Sequence, residues 1–205
     1  LKSGEITYES LGLKSYPSPG EKLPTPFIDI STKLEAIDRY LTWEEARKIA
    51  SLSEKDEENI KQFILKINSI ISDRAAQAGF ENLDGKLELG FGAGRQLFLS
   101  DLAGTPDESR LVMQGFPANK DVLRQFYRTT PWYGQIEKLK KEKGSLWLEF
   151  APCPPPLDEG LKELVSNLYK SIANALTGKE WFSAPPTIEV LKDIDLLFPA
   201  GEKKT

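Results

Sequence analysis

The stretch Lys86–Arg110, KLELGFGAGRQLFLSDLAGTPDESR, decides how the rest of the chain is read. Two short alternating runs, Lys86-Leu87-Glu88-Leu89 and Gln96-Leu97-Phe98-Leu99, flank Gly90-Phe91-Gly92-Ala93-Gly94. Alternation around a glycine-rich turn predicts a β-hairpin, with the glycines serving the turn. Their spacing fits neither a Walker loop nor a dinucleotide fingerprint. Lys86 and Glu88, two apart on a strand, project from one face. Asp101 ends the returning strand, so the hairpin can bring Glu88 and Asp101 side by side. Two readings stand: a solvated hairpin with a Lys–Glu surface pair, or two carboxylates that share a cation. For the second, magnesium on ATP phosphates is the natural occupant, because it uses few protein carboxylates and completes its shell with phosphate oxygens.

Directly downstream, Thr105-Pro106-Asp107-Glu108 is a strong turn signal. Asp107, Ser109 and Arg110 then share a loop beside the hairpin. Arginine offers phosphate a planar fork and serine adds a hydroxyl donor; the alternative is a plain turn with a surface arginine. Asn119 predicts a helix cap ahead of Val122, Leu123 and Phe126. Near that helix start, Lys120 and Arg124 lie four apart on one face, where the positive helix end adds its field. They form either an anion site or an ordinary basic face.

Further out, the punctuation is local. Prolines 17, 19, 24 and 26 predict an extended loop over 14–31. Thr42-Trp43-Glu44-Glu45 is a capping box for a helix near 43–51, and Ser53-Glu54-Lys55-Asp56 is a second cap. Behind it, Ile60, Phe63, Ile64, Ile67, Ile71, Ala75 and Ala78 recur at helical spacing, stopping at Gly79. Pro131 starts a helix that runs into the basic stretch Lys138 to Lys143. Pro152-Cys153-Pro154-Pro155-Pro156 is a break. An amphipathic helix from Leu157 to Leu176 follows, ended by Gly178. Trp132, Trp181 and Pro185-Pro186 are expected to pack rather than bind, and residues 201–205 to fray. The chain is divided as 1–150 and 151–205, the latter a helical extension packed on the same domain.

Composition bounds the chemistry. The 205 residues carry a formal net charge of −4 and are 40% apolar and 28% charged, as for a packed globular chain. The charge argues against a nucleic-acid coat or a membrane-surface role, and no run is long enough to span a membrane. There is no histidine and one cysteine, Cys153. A Ser-His-Asp triad, a Cys-His dyad and a His-ligated zinc are therefore excluded. Acid, base and electrophile roles fall to Asp, Glu, Lys, Arg and Tyr, and any metal must take oxygen ligands. A lone cysteine forms no intrachain disulfide, which suits a reducing cytoplasm. The start at Leu1-Lys2-Ser3, without methionine, suggests that something upstream is missing.

Four segments together resemble the SAICAR synthetases. Leu83–Gly90 (LDGKLELG) resembles their "VDFKLEFG" strand, and Asp101–Arg110 their substrate loop ending in "PDSSR". Asn119–Arg124 (NKDVLR) resembles "DKDVFR", and Pro26–Glu35 (PFIDISTKLE) resembles "PLFTPSTKAE". Order and spacing agree over roughly residues 1 to 130. The resemblance implies an α+β fold related to the protein kinases, here the lower lobe, with a β-hairpin active site and several packed helices. It implies an ATP-dependent ligase of purine biosynthesis that joins CAIR to L-aspartate, giving SAICAR, ADP and phosphate. By resemblance Glu88 and Asp101 hold Mg2+, Lys86 sits in the ATP cleft, and Lys86, Asp101 and Asp107 serve catalysis. Lys33, Asp107, Ser109, Arg110, Lys120 and Arg124 surround the ribonucleotide. The enzyme is expected to be cytoplasmic, without nucleic-acid or membrane partners, and homo-oligomerisation stays open.

Some positions depart from the family pattern. Leu102 stands where the family has Glu, and Ile37-Asp38-Arg39 replaces a His-Asp pair, leaving Asp38. The family's N-terminal ATP-binding lobe has no counterpart in these residues. Two other classes therefore remain: a non-catalytic nucleotide-binding or regulatory relative, and an α+β interaction domain whose basic helix meets an acidic partner.

Overall fold

A computed structural model of the chain describes residues 7–18, 21–33, 35 and 39–197. The expectations for Asp38, for the frayed tail 201–205 and for the start at Leu1 lie outside them. The chain separates into two compact units, Leu1–Leu65 and Lys66–Thr205. Residues on either side of 150 belong to the second.

In the first unit, strands β1 (Ile30–Ser31) and β2 (Tyr40–Leu41) pair antiparallel. Helix α1 (Trp43–Ala50) opens on the expected capping box. The Glu45 amide donates to Thr42 Oγ1 at 3.2 Å, and the Thr42 amide donates to Glu45 Oε2 at 2.9 Å. The Thr42 amide, and then its hydroxyl, which donates to the same Oε2 at 3.0 Å, hold the Glu45 carboxyl below its ordinary pKa. Helix α2 (Glu54–Gln77) is capped the same way, with Ser53 Oγ accepting from the Asp56 amide at 3.1 Å. It runs from the first unit into the second. Its predicted stripe is buried or half-buried throughout, whereas Leu65 and Ile70, off the stripe, are exposed. Gly79 ends it at φ +82°, a conformation that favours glycine.

The second unit is built on a small sheet in the order β3 (Glu81–Gly85), β6 (Ser109–Met113), β7 (Phe116–Pro117), all antiparallel. Between β3 and β6 stands a separate hairpin, β4 (Leu89–Phe91) with β5 (Leu97–Leu99). The hairpin is as expected, but its first strand starts at Leu89, not Lys86. Gly90 lies in that strand and not in the turn. Its partner Phe98 lays its ring over the bare backbone, where a β-carbon on Gly90 would come within 2.8 Å.

Helices α3 (Asp121–Arg128), α4 (Pro131–Lys143), α5 (Trp147–Phe150), α6 (Glu159–Thr177) and α7 (Thr187–Leu197) follow. The N-cap of α3 is Lys120 rather than the expected Asn119, which precedes it and accepts from the Asp121 amide through Oδ1 at 2.8 Å. The proline break is pinned from outside: Trp132 Nε1 donates to Pro152 O at 2.8 Å and Tyr127 Oη to Pro155 O at 3.2 Å. Trp132 thus packs as expected, but Trp181 is exposed, with Lys179 Nζ over its ring.

The core joins these layers. Leu111 of β6 meets Ala75, Phe80, Ala118 and Val122, and α6 and α7 close it with Leu168, Ile172, Val190 and Leu191. Arg74 near the end of α2 donates to the Leu176 carbonyl of α6. Leu111 is fully buried on the middle strand. Leu111→Ala should therefore cost about 2–5 kcal/mol of stability through lost burial and a cavity, read as a lower urea midpoint at unchanged m-value.

Candidate functional site

The turn Thr105–Ser109 organises the site. Thr105 O accepts from the Glu108 amide at 3.1 Å and from the Ser109 amide at 2.8 Å, which closes the turn that the Thr-Pro-Asp-Glu signal predicts. Other segments then attach to its backbone. The Lys86 amide donates to Glu108 O at 2.8 Å, and the Lys120 amide to Pro106 O at 3.3 Å. So the segment after β3, the turn carrying Asp107 and the start of α3 meet at one place. At Gly85 the approach is close: a β-carbon there would lie 3.2 Å from both Glu108 O and Ser109 Oγ.

Ser109 and Arg110 do not share a loop. Both lie on β6, where neighbours face opposite sides. Ser109 is buried and Arg110 is half-exposed. Arg110 reaches Asp84 Oδ2 at 2.9 Å through Nη1 and Asp121 Oδ2 at 3.6 Å through Nε. Asp121 Oδ1 also takes Arg124 Nη1 at 2.8 Å. One carboxylate therefore spaces two guanidinium groups. They line an open groove of about 490 Å³ with Glu81, Leu83 and Arg128. Arg124 is in that lining and Lys120 is not, so Arg124 keeps company with Arg110 rather than with Lys120.

At the hairpin, Lys86 and Glu88 meet as expected, Nζ to Oε1 at 3.2 Å. Glu88 is largely buried and Lys86 exposed. The ladder puts Ser100 opposite Glu88, the Ser100 amide donating to Glu88 O at 2.9 Å. Asp101 comes one residue later, exposed, with Oδ1 accepting from the Leu102 amide at 2.8 Å. Among the described residues no group of three or more His, Cys, Asp or Glu could hold a metal. Lys33 is exposed in the first unit, two residues after β1.

A partner from far along the chain completes the turn. Tyr169 of α6 donates its hydroxyl to Asp107 Oδ1 at 2.7 Å, across 62 residues. Nothing in the sequence singled it out, because Tyr169 sits beside the apolar stripe of an amphipathic helix and reads as part of its flank.

The model for the family described as SAICAR synthetase matches residues 6–143. The chain belongs to the SAICAR synthetase family. An Archaeoglobus fulgidus protein provisionally named phosphoribosylaminoimidazole-succinocarboxamide synthase is 40% identical over 194 residues, covering 95% of this chain and 58% of the relative. The synthase of Thermoplasma acidophilum is 32% identical over 188 residues, covering 88% and 62%. A SAICAR synthetase solved with ADP superposes with a TM-score of 0.55 at 23% identity, covering 78% of this chain and 54% of that one. The enzyme of Pyrococcus horikoshii gives 0.52 at 22% identity, covering 77% and 54%. The likeness in structure bears out the α+β fold of the family. The chain spans about three fifths of the length of these curated relatives.

Burial, and then the carboxylate of Asp107, raise the Tyr169 phenol well above its ordinary value of 10.0. The folded state therefore holds this proton more tightly than the unfolded one. Its contribution is complete below pH 10 and is lost as pH rises above it. Between pH 9 and pH 11 the wild-type urea midpoint should fall further than that of Tyr169→Phe; equal losses would contradict this coupling.

Proposed function

We propose that this chain forms the substrate-binding part of an ATP-dependent ligase that joins CAIR and L-aspartate to give SAICAR, ADP and phosphate. The observation that carries this is the convergence of Lys86, Asp107 and the start of α3 on one turn. Those are segments that resemblance to the family ties to its active site. Membership of the family and curated relatives named for this activity support it.

The chemistry suits the residues. A carboxylate is a poor acyl donor, so the CAIR carboxylate first takes the γ-phosphoryl group of ATP and ADP leaves. The aspartate amine then attacks the acyl phosphate, phosphate departs with the C–O electron pair, and the nitrogen gives up its proton. Both steps demand charge neutralisation and alignment more than a histidine base. Arg110 and Arg124, spaced by Asp121, offer planar donors to the ribonucleotide phosphate. Lys120 would add charge at the start of α3; Ser109, buried on the inner face of β6, would brace the strand rather than touch the ribonucleotide, and Lys33 keeps the substrate role that resemblance gives it. Asp107 would face the substrate from the turn, and Lys86 would meet the phosphates of ATP.

Glu88 and Asp101 are hard oxygen donors at the base of one hairpin, a set that fits Mg2+ when phosphate oxygens fill the rest of its shell. Held there, the ion would supply neutralisation of the nucleotide's charge. No described helix is long and apolar enough to cross a membrane. The one exposed free cysteine suits a reducing, cytoplasmic setting.

An interaction domain with a free basic helix is less well supported. In the basic stretch of α4, Lys140 pairs with Glu137 at 2.9 Å and Lys138 with Glu142 at 3.8 Å. Calorimetric titration of the complete protein should show binding of CAIR and of Mg-ATP; binding of neither would sink the proposal. In the complete enzyme, Asp101→Asn should reduce turnover by at least about a hundredfold, the scale of one lost electrostatic contact at a reacting centre. Near-normal turnover would remove Asp101 from its proposed role.

A further inference from the structure

We infer that Tyr169 of α6 is a positioning residue for the site: its hydroxyl, 2.7 Å from Asp107 Oδ1, fixes the carboxylate that the turn presents. The inference rests on the proposed function for what Asp107 meets, and on geometry alone for how Asp107 is held. Backbone bonds close the turn at Thr105 and tie it to Lys86 and Lys120, but none of them restrains the Asp107 side chain. That side chain is exposed, so its rotation is the freedom left at this position. Tyr169 removes it with a donor aimed at one oxygen. The other oxygen makes no hydrogen bond among the described residues and stays open to a ligand.

The anchor stands on a helix packed into the core. Tyr169 lies between Leu168 and Ile172, both fully buried, on a 19-residue helix. Aspartate Asp158 caps that helix at one end, its Oδ1 accepting from the Leu161 amide at 2.9 Å, and Gly178 closes the other at φ +67°. A phenol has few rotors, so little entropy opposes the contact. Half-buried and raised in pKa, it stays a donor past the pH at which a free phenol ionises. A charge-assisted bond of this length is among the stronger kinds. Geometry supplied by a packed helix is also more exact than geometry supplied by a loop. Helix α6 lies outside residues 6–143, so the site's geometry depends on a part of this chain that the family model does not match.

The test compares the complete wild-type protein with Tyr169→Phe, which keeps the ring and so the packing of α6. The Asp107 χ1 couplings, read by NMR, should report one rotamer in the wild type and averaging over several in the variant, while amide hydrogen exchange in peptides covering Leu168 and Ile172 stays unchanged. A single Asp107 rotamer retained in the variant would overturn the inference, and this holds whether or not the protein is a ligase. Absent turnover in the wild type would instead count against the proposed function alone. In the ligase assay, kcat/KM should fall about tenfold, the scale of one hydrogen bond to a charged group. The loss should appear mainly in KM for the substrate that Asp107 meets. In an Asp107→Ala background, Tyr169→Phe should change neither that KM nor, where turnover is too slow to follow, the calorimetric Kd by more than about twofold. A further tenfold loss there would mean that Tyr169 acts otherwise than through Asp107.

Discussion

The alternation of β6 is the constraint on which the site depends. Ser109 and Leu111 face inward, and Leu111 is packed at the centre of the core. Arg110, between them, has to face outward. A one-residue slip would bury a guanidinium and expose Leu111, so the hydrophobic core pins the register. With the register fixed, Arg110 stands beside Asp84 on its pairing strand and Asp121 at the start of α3. The same register sets where the turn Thr105–Ser109 emerges, and hence where Asp107 is offered.

Charge in the groove follows from that placement. Arg110 and Arg124 would repel each other across an open surface, yet Asp121 sits between them and forms an ion pair with each. Exposed ion pairs of this sort add little stability, roughly 0–1 kcal/mol each. Their effect is geometric: each guanidinium is held in one direction with donors to spare. A dianionic phosphate could engage both at modest ordering cost.

Helices α6 and α7 belong to this core. Leu168 and Ile172 of α6, and Val190 and Leu191 of α7, pack with Leu111 and Phe80. The residues after 150 therefore back the sheet, and Tyr169 extends that backing to the turn. What is legible in the sequence is what is locally encoded. Both capping boxes, the long stripe of α2, the Pro131 start and the Gly178 stop are contained in a few adjacent residues, and each forms. Strands β3, β6 and β7 were not legible. Glu81-Asn82-Leu83-Asp84-Gly85 has a bulge and a mostly exposed face, so it shows no alternation, and its pairing comes from β6 some 25 residues on. The site was legible in residue types but not in partners. Asp121 as the spacer of two arginines, and Tyr169 as the restraint on Asp107, arise only when distant segments fold together.

The most direct measurement is a crystal structure of the complete protein with CAIR bound. The ribonucleotide phosphate should lie within hydrogen-bond distance of Arg110 and Arg124 at the groove beside Asp121, with the carboxylate of CAIR on the side of the 105–109 turn. A phosphate held elsewhere, with both arginines still turned to Asp84 and Asp121, would contradict the account.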